Sequence, residues 1–282
     1  MKTNPYEPVP MRIARKIVET DDQVLRSFEL MFECEADRER FFSLYRPGQF
    51  CQLSIFGKGE APFGVASAAW EGDFVRFTVN EIGVFTRAIH AMKPGDVIGM
   101  RGPLGNWYPI EEWKGANTVI IGGGYAFTTL FALAQHLLEP EIRSQYGDLT
   151  VIYGAREPGL FLYKKEIETW YKREDITFYQ AIDNPREGWG HLIGYVPTVT
   201  KEIAPSAENT VAFVCGPPVM IKFTLPVLNE LGFPPERIYT SLEKRMKCGI
   251  GKCGRCNVGP KYICKDGPVF TFAELRELPS DL

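Results

Sequence analysis

Four cysteines near the C-terminal end carry the clearest chemistry in this sequence: Cys248, Cys253, Cys256 and Cys264, spaced C-x4-C-x2-C-x7-C. The first three follow the C-x4-C-x2-C pattern in which thiolates on one tight loop hold a [2Fe–2S] cluster, the fourth ligand arriving from further along the chain. Gly249, Gly251, Gly254 and Gly259 punctuate the same stretch. Backbone amides must turn inward toward sulfur in such a loop, and glycine supplies the positive φ that this requires. Two other readings compete. A structural zinc site also takes four cysteines, but usually as paired C-x2-C knuckles on separate turns, and only one C-x2-C is present here. Disulfides or inert buried thiols are the third reading, and nothing marks the chain as secreted. The spacing favours the iron–sulfur cluster. Cys34, Cys51 and Cys215 are scattered singly, which suits a reducing, cytoplasmic compartment.

Three further segments have the composition of ligand-binding turns. In IIGGGYAFTTL an apolar run meets glycines and then a helical pattern, so amide groups and a helix N-terminus would face a diphosphate at Gly123 and Gly124. The G-x-G-x-x-G fingerprint with an acidic residue about 20 positions later is absent. In VCGPPVM, Cys215 ends a strand pattern and Gly216-Pro217-Pro218 opens a helix, so Cys215 is either a core thiol or a ligand contact. In GVFTRAIHAMKPGDVIGMRGPLGN, the helix start at Gly83 to Thr86 could offer amides and a hydroxyl to a phosphate, and Gly102 to Gly105 would let another backbone approach closely. Simple turns between strands are the competing reading. The three histidines have no metal-ligand spacing.

The elements that must carry these segments follow from periodicity. RIARKIVET, LRSFELMFE, RPGQFCQLSIF, DFVRFTVNE and KPGDVIGMRG read as short strands with Pro-Gly and polar turns between them, and FTRAIHAM (85–92) as a short helix. Strands at this spacing predict a closed antiparallel barrel over 1–112. From 113 to 240, TVIIGG, LTVIYGAR, ITFYQAI and TVAFVCG alternate with the helical patterns TTLFALAQHLL, FLYKKEIETWYK and PPVMIKFTLPVLNELG. That order predicts a parallel sheet of βαβ units, with ligands beyond the carboxyl ends of its strands. Residues 241–282 form the cluster segment. The expected fold class is therefore all-β plus α/β: an antiparallel β-barrel, a parallel-sheet α/β domain and a small C-terminal iron–sulfur loop. With 282 residues, 45% hydrophobic, 24% charged and a net charge of −3, the chain has no nucleic-acid footprint and no polybasic membrane patch. MKTNPYEPVP lacks the apolar core of a signal peptide. Thr118 to Leu138 carries no charge over a membrane-span length, but three glycines and several polar residues make it a strand, a turn and a core helix, with no membrane insertion.

Taken together, barrel, α/β domain and cluster resemble the ferredoxin–NADP+ reductase superfamily, in its subfamily with a C-terminal [2Fe–2S] cluster. That subfamily includes hydrogenase and sulfhydrogenase gamma subunits, the electron-transfer subunit of dihydroorotate dehydrogenase and a subunit of anaerobic sulfite reductase. RPGQF and LEKRMKCGIGKCGRCNVG…KYICKDGPVF carry the hydrogenase-gamma likeness. The resemblance implies a flavin-binding barrel, with Pro62, Phe63, Gly64 and Val65 at the flavin ring and Gly83, Val84 and Thr86 at the FAD diphosphate. It implies a nicotinamide-nucleotide loop at Gly123 and Gly124, a second nucleotide segment ending at Arg156, and Cys215 beside the nicotinamide with Gly216 and Pro217. It implies that Cys248, Cys253, Cys256 and Cys264 ligate the cluster. The expected function is an oxidoreductase subunit passing electrons between NAD(P)H, FAD and the [2Fe–2S] cluster and on to partner subunits carrying iron–sulfur clusters, of hydrogenase, heterodisulfide-reductase or sulfite-reductase type. Ala61 and Gly64 depart from the family's Arg and Ser, losing a charged contact and a hydroxyl. Ala126 and Thr129 replace the second glycine and the proline of the nucleotide loop, and a Cβ at 126 argues against ordinary nucleotide binding. A relay subunit that no longer binds NAD(P) is the alternative. The basic residues Lys244, Arg245, Lys247, Lys252, Arg255, Lys261 and Lys265 mark either a docking surface or a solvated face.

Overall fold

The structure, a computed structural model, describes residues 4–279, so the outermost residues of the expected first and third segments lie outside the described residues. Six antiparallel strands form the first unit: β1 (Val9–Val18), β2 (Leu25–Phe32), β3 (Phe50–Ile55), β4 (Gly59–Gly64), β5 (Phe74–Asn80) and β6 (Val97–Leu104). Their order is β4-β3-β6-β1-β2-β5. The sheet curls until its two ends meet, where the chain just past β4 donates from Ala66 N–H to the Arg76 carbonyl of β5 at 2.8 Å. Inward positions of facing strands are apolar and paired in register, as with Leu30 opposite Val75 and Phe28 opposite Phe77. Met11, Ile13, Leu53, Ile98 and Met100 complete a dry barrel core. Helices α1 (Glu35–Leu44) and α2 (Val84–Ala91) lie in the connections.

The second sheet alternates with helices. Its members are β7 (Asn117–Gly123), α3 (Phe127–Leu137), α4 (Pro140–Arg143), β8 (Leu149–Ala155), α5 (Lys164–Trp170), β9 (Thr177–Ile182), β10 (Leu192–Ile193), α6 (Val196–Ile203), β11 (Thr210–Cys215), α7 (Pro218–Glu230) and β12 (Ile238–Ser241). The strand order β10-β9-β8-β7-β11-β12 is parallel throughout. The uncharged run from Thr118 to Leu138 is β7, a glycine turn and α3, and no helix among the described residues is long and apolar enough to cross a membrane. The last segment folds as β13 (Asn257–Val258), β14 (Lys261–Tyr262), α8 (Ile263–Asp266), β15 (Val269–Thr271) and α9 (Phe272–Arg276). It is stitched into the rest, because β15 pairs antiparallel with β12 and extends the second sheet.

Polar contacts between the first two units are buried and specific. Arg76 on β5 reaches Glu29 on β2 at 3.0 Å and Glu166 on α5 at 2.7 Å. Thr78 Oγ1 meets Tyr163 Oη at 2.6 Å, and Glu19 accepts from the Tyr163 N–H at 3.0 Å.

Candidate functional site

The four cysteines converge on one loop. All four of its glycines have positive φ, between +53° and +72°. That backbone turns N–H groups onto sulfur: Gly251 N–H donates to Cys264 Sγ at 3.1 Å, Lys252 and Cys253 N–H to Cys248 Sγ at 3.3 and 3.4 Å, and Cys264 N–H to Cys256 Sγ at 3.5 Å. Backbone bonds to sulfur join the cysteines in two pairs, Cys253 N–H to Cys248 Sγ and Cys264 N–H to Cys256 Sγ. Among the described residues, no three or more His, Cys, Asp or Glu side chains gather as a single-ion site. Two pairs of thiols are what a two-iron cluster takes, two per iron. Burial opposes ionisation of Cys248, yet the N–H groups of Ile250, Lys252 and Cys253 draw its pKa down to about 6. Burial and the neighbouring Cys256 thiol hold Cys264 up. The loop therefore offers both inward amides and a ready thiolate, the donor set an iron–sulfur cluster requires.

The loop is mounted on the barrel by residues that sequence reading passed over. Gly102 to Gly105, read above as a place of close backbone approach, meets the cluster segment itself: a Cβ on Gly105 would lie 2.7 Å from the Gly267 carbonyl. Asn106 clamps the same stretch, donating to the Val269 carbonyl at 2.7 Å and accepting its N–H at 2.8 Å. Arg101 on β6, buried and paired with Glu60 through two bonds of 2.7 and 2.8 Å, also reaches the Cys248 carbonyl at 3.2 Å. Phe50, Met246, Ile263 and Phe270 form a small core beneath the loop. Outside it, residues 244–265 contain seven basic and no acidic residues. Arg245, Lys247, Lys252, Arg255 and Lys265 are exposed, as is Cys253.

Around the barrel rim, Pro62 to Val65 ends β4 beside the start of α2, with the Phe63 and Phe85 rings 5.9 Å apart. Gly83 caps α2, and the Thr86 hydroxyl is turned back into that cap, accepting from the Ile82 and Gly83 N–H groups at 2.9 and 2.7 Å and donating to the Gly83 carbonyl at 3.1 Å. The amides of Val84 and Phe85, rather than the hydroxyl, are left to meet an anion. Val84 is exposed.

In the α/β unit, Gly123, Ala155-Arg156 and Cys215-Gly216 end adjacent strands β7, β8 and β11 at the carboxyl edge of the sheet. Gly124 turns the chain with φ +55° and faces open space, while Ala126 packs against the aromatic core. The methyl group that seemed to oppose a nucleotide is thus spent on packing. Met220 fills the space against Gly123 and Gly216, where any Cβ would fall within 2.4 Å of its side chain. Cys215 is buried, which pushes its pKa up to about 12, so it is a neutral thiol at physiological pH. Thr129 Oγ1 donates to its Sγ at 3.9 Å, and Sγ donates to the Ser241 carbonyl at 3.8 Å.

The end of β4 and the first turn of α3, just after β7, touch. A Cβ on Gly64 would lie 2.4 Å from Thr129 Cγ2, so the two departures noted in the sequence occupy one another's space. Tyr125 closes the same junction by donating to the Thr78 carbonyl at 2.8 Å. Two cavities of about 210 Å³ lie elsewhere, one between α1 and β6 and one lined by Tyr45, Trp107 and His136.

Residues 120–225 match the oxidoreductase NAD-binding domain family, and residues 243–276 match the iron–sulfur cluster binding domain of dihydroorotate dehydrogenase B. The chain is 35% identical to the sulfhydrogenase 1 gamma subunit of Pyrococcus furiosus, over 98% of its own length and 94% of that subunit. It is 32% identical, over 82% of its length and 81% of the relative, to the Methanocaldococcus jannaschii protein named "Probable dihydroorotate dehydrogenase B (NAD(+)), electron transfer subunit". The chain belongs to this family of electron-transfer subunits. Its fold is that of an NADH-dependent reduced ferredoxin–NADP oxidoreductase, with a TM-score of 0.75 at 24% identity covering 100% of this chain and 92% of the other. A ferredoxin–NADP+ reductase from Neisseria gonorrhoeae shares the fold over 83% of this chain and 98% of its own, with a TM-score of 0.69. The protein is an oxidoreductase subunit with an NAD-binding domain and an iron–sulfur cluster binding domain, the parts of an electron-transfer role.

Proposed function

We propose that this chain passes electrons between NAD(P)H and the iron–sulfur clusters of partner subunits, in a complex of the hydrogenase or dihydroorotate dehydrogenase kind. The observation that carries the reading is the cluster loop, with its thiols ringed by inward amides, seated on β3 and β6 beside the strand that bears the flavin segment. Cys248, Cys253, Cys256 and Cys264 hold a [2Fe–2S] cluster. Pro62, Phe63, Gly64 and Val65 border the flavin ring, and Gly83, Val84 and Thr86 form the helix start whose free first-turn amides receive the FAD diphosphate. Gly123, Gly124, Arg156, Gly216 and Pro217 line the nucleotide edge, with Cys215 as a neutral thiol beside the nicotinamide. Bound FAD supplies the conversion between a two-electron hydride and a one-electron cluster. The exposed basic apron around Cys253 steers an acidic partner face to the cluster. Working segments are 1–112, 113–240 and 241–282, and the singly scattered cysteines support a cytoplasmic setting.

The second reading, a relay that does not take NAD(P)H, is carried by the Gly64–Thr129 and Tyr125–Thr78 contacts at the junction. Two measurements test the proposal. Cofactor analysis should return about two irons, two sulfides and one FAD per chain, whereas zinc without sulfide would overturn the cluster assignment. Calorimetric titration should give a dissociation constant for NADH or NADPH tighter than about 1 mM, the upper end of ordinary Michaelis constants. No binding of either would leave the relay.

A further inference from the structure

Gln52 is fully buried in the middle of β3, and neither its Nε2 nor its Oε1 has a hydrogen-bond partner. An unpaired buried polar group is costly, and folded proteins rarely leave one without a partner of some kind. The neighbours of this carboxamide define what that partner is. In register, Gln52 stands opposite Pro62 of the flavin segment on one side and opposite Arg101 on the other. Arg101 is already committed to Glu60 and to the Cys248 carbonyl. The cluster loop crosses directly over Gln52 at Gly249, the residue after the first cluster cysteine. A Cβ on Gly249 would lie 3.2 Å from both Gln52 Cγ and Nε2 and 2.9 Å from Leu104 Cδ1. The carboxamide is therefore buried beneath the cluster loop, beside the strand that bears the flavin segment, with its nitrogen toward the loop.

We propose that Gln52 Nε2 donates a hydrogen bond to a sulfur at the Cys248 edge of the [2Fe–2S] cluster and holds the reduction potential of the cluster up. The inference rests on the cluster assignment above. Thiolate and sulfide are acceptors without a proton to give, and Nε2 carries two N–H groups with nothing else to bond. A donor pairs more strongly with the more negative, reduced cluster, and hydrogen bonds to the sulfurs are one of the terms that set cluster potentials. Gln52 is thus a positioning and tuning residue for electron flow between the flavin and the exit.

The test is an anaerobic potentiometric titration of the intact, cofactor-loaded protein and of Gln52→Leu and Gln52→Glu, after iron, sulfide and flavin have been quantified. Paramagnetic resonance reads the cluster and visible absorbance reads the flavin. Both variants should hold the cluster with a lower midpoint, by about a tenfold change in the one-electron equilibrium (59 mV) for Gln52→Leu and at least as much for Gln52→Glu. The flavin midpoint should stay in place. An unmoved cluster midpoint at full iron and sulfide content, or a shift of the flavin alone, would overturn the inference. Should a variant lose its cluster, the parent decides by itself. With glutamine side-chain nitrogens labelled with 15N, the reduced cluster should show a 15N hyperfine coupling, and absence of coupling would refute the bond. A parent chain without iron and sulfide would instead refute the cluster assignment, so the two failures are distinguishable.

Discussion

Gly64→Ala adds one carbon to the barrel rim, and the structure says what that carbon meets. The new Cβ would stand 2.4 Å from Thr129 Cγ2, more than 1 Å inside ordinary contact, while Thr129 Cβ would stand at a comfortable 3.9 Å. The backbone at Gly64 does not have a positive φ, so the cost is packing rather than conformation. Overpacking of this kind costs about 1–3 kcal/mol, which in a protein this size lowers Tm by roughly 2–10 °C. Thr129→Ala removes the clashing methyl and leaves a good helix former in the first turn of α3, at a cost of about 1 kcal/mol for the lost methyl and the weak bond to Cys215. The double variant should therefore be at least about 1 kcal/mol more stable than the sum of the singles requires, since the two residues share one volume. Chemical denaturation of the four proteins of this cycle, monitored by tryptophan fluorescence, measures the coupling. A Gly64→Ala cost below about 0.5 kcal/mol, or additive singles, would refute the fitted contact between flavin segment and nucleotide loop.

Other perturbations follow from named contacts. Arg76→Met leaves buried Glu29 with only Arg15, at 3.3 Å, and frees Glu166, and should cost about 2–3 kcal/mol in chemical denaturation. Burial lowers the pKa of His90, against the carbonyl of Val79 that its Nε2 meets at 2.9 Å. The folded state thus binds that proton less readily than the unfolded chain. The stability contributed by neutral His90 is intact above the unfolded value near 6.5 and is lost as pH falls below it. Melting temperatures recorded from pH 8 to 5 should fall less steeply for His90→Gln than for the parent. Lys252→Glu combined with Arg255→Glu should slow electron transfer to a small acidic iron–sulfur protein about tenfold at low ionic strength, a gap that closes as salt is added. Stopped-flow rates unaffected by charge reversal would remove the electrostatic role of the apron.

Much of this architecture is legible in the sequence because alternation and helical spacing coincide with burial. DFVRFTVNE became β5 and TTLFALAQHLL became α3, each with its apolar positions inward. Helix α1 is half charged and buries only Phe41, so no periodicity announces it. Strand β4 contains Gly59, Pro62 and Gly64, residues that weaken a strand signal and are tolerated here because its ladder runs along β3 alone. The cluster cysteines were readable from spacing, since their geometry is local. The residues that mount the loop were not. Asn106 and Arg101 find their partners about 150 residues away along the chain, and composition alone presented their segment as turns. Nor does a residue's identity reveal its surroundings: Ala126 is half-buried and packs against the apolar core. Gly64 and Thr129 looked like two separate losses and are one compensated contact.

The most direct measurement is an anaerobic titration of the purified, cofactor-loaded protein with NADH and then NADPH, following flavin absorbance and the paramagnetic resonance of the cluster together. Bleaching of the flavin followed by the signal of a reduced [2Fe–2S] cluster is the expected result, because the first turn of α3, just after β7, meets the end of β4 at Thr129 and Gly64, and the cluster loop rests on the neighbouring barrel strands at Gln52 and Arg101. If dithionite reduces the cluster while neither nucleotide does so, the path from nucleotide to cluster is contradicted and the chain is a relay.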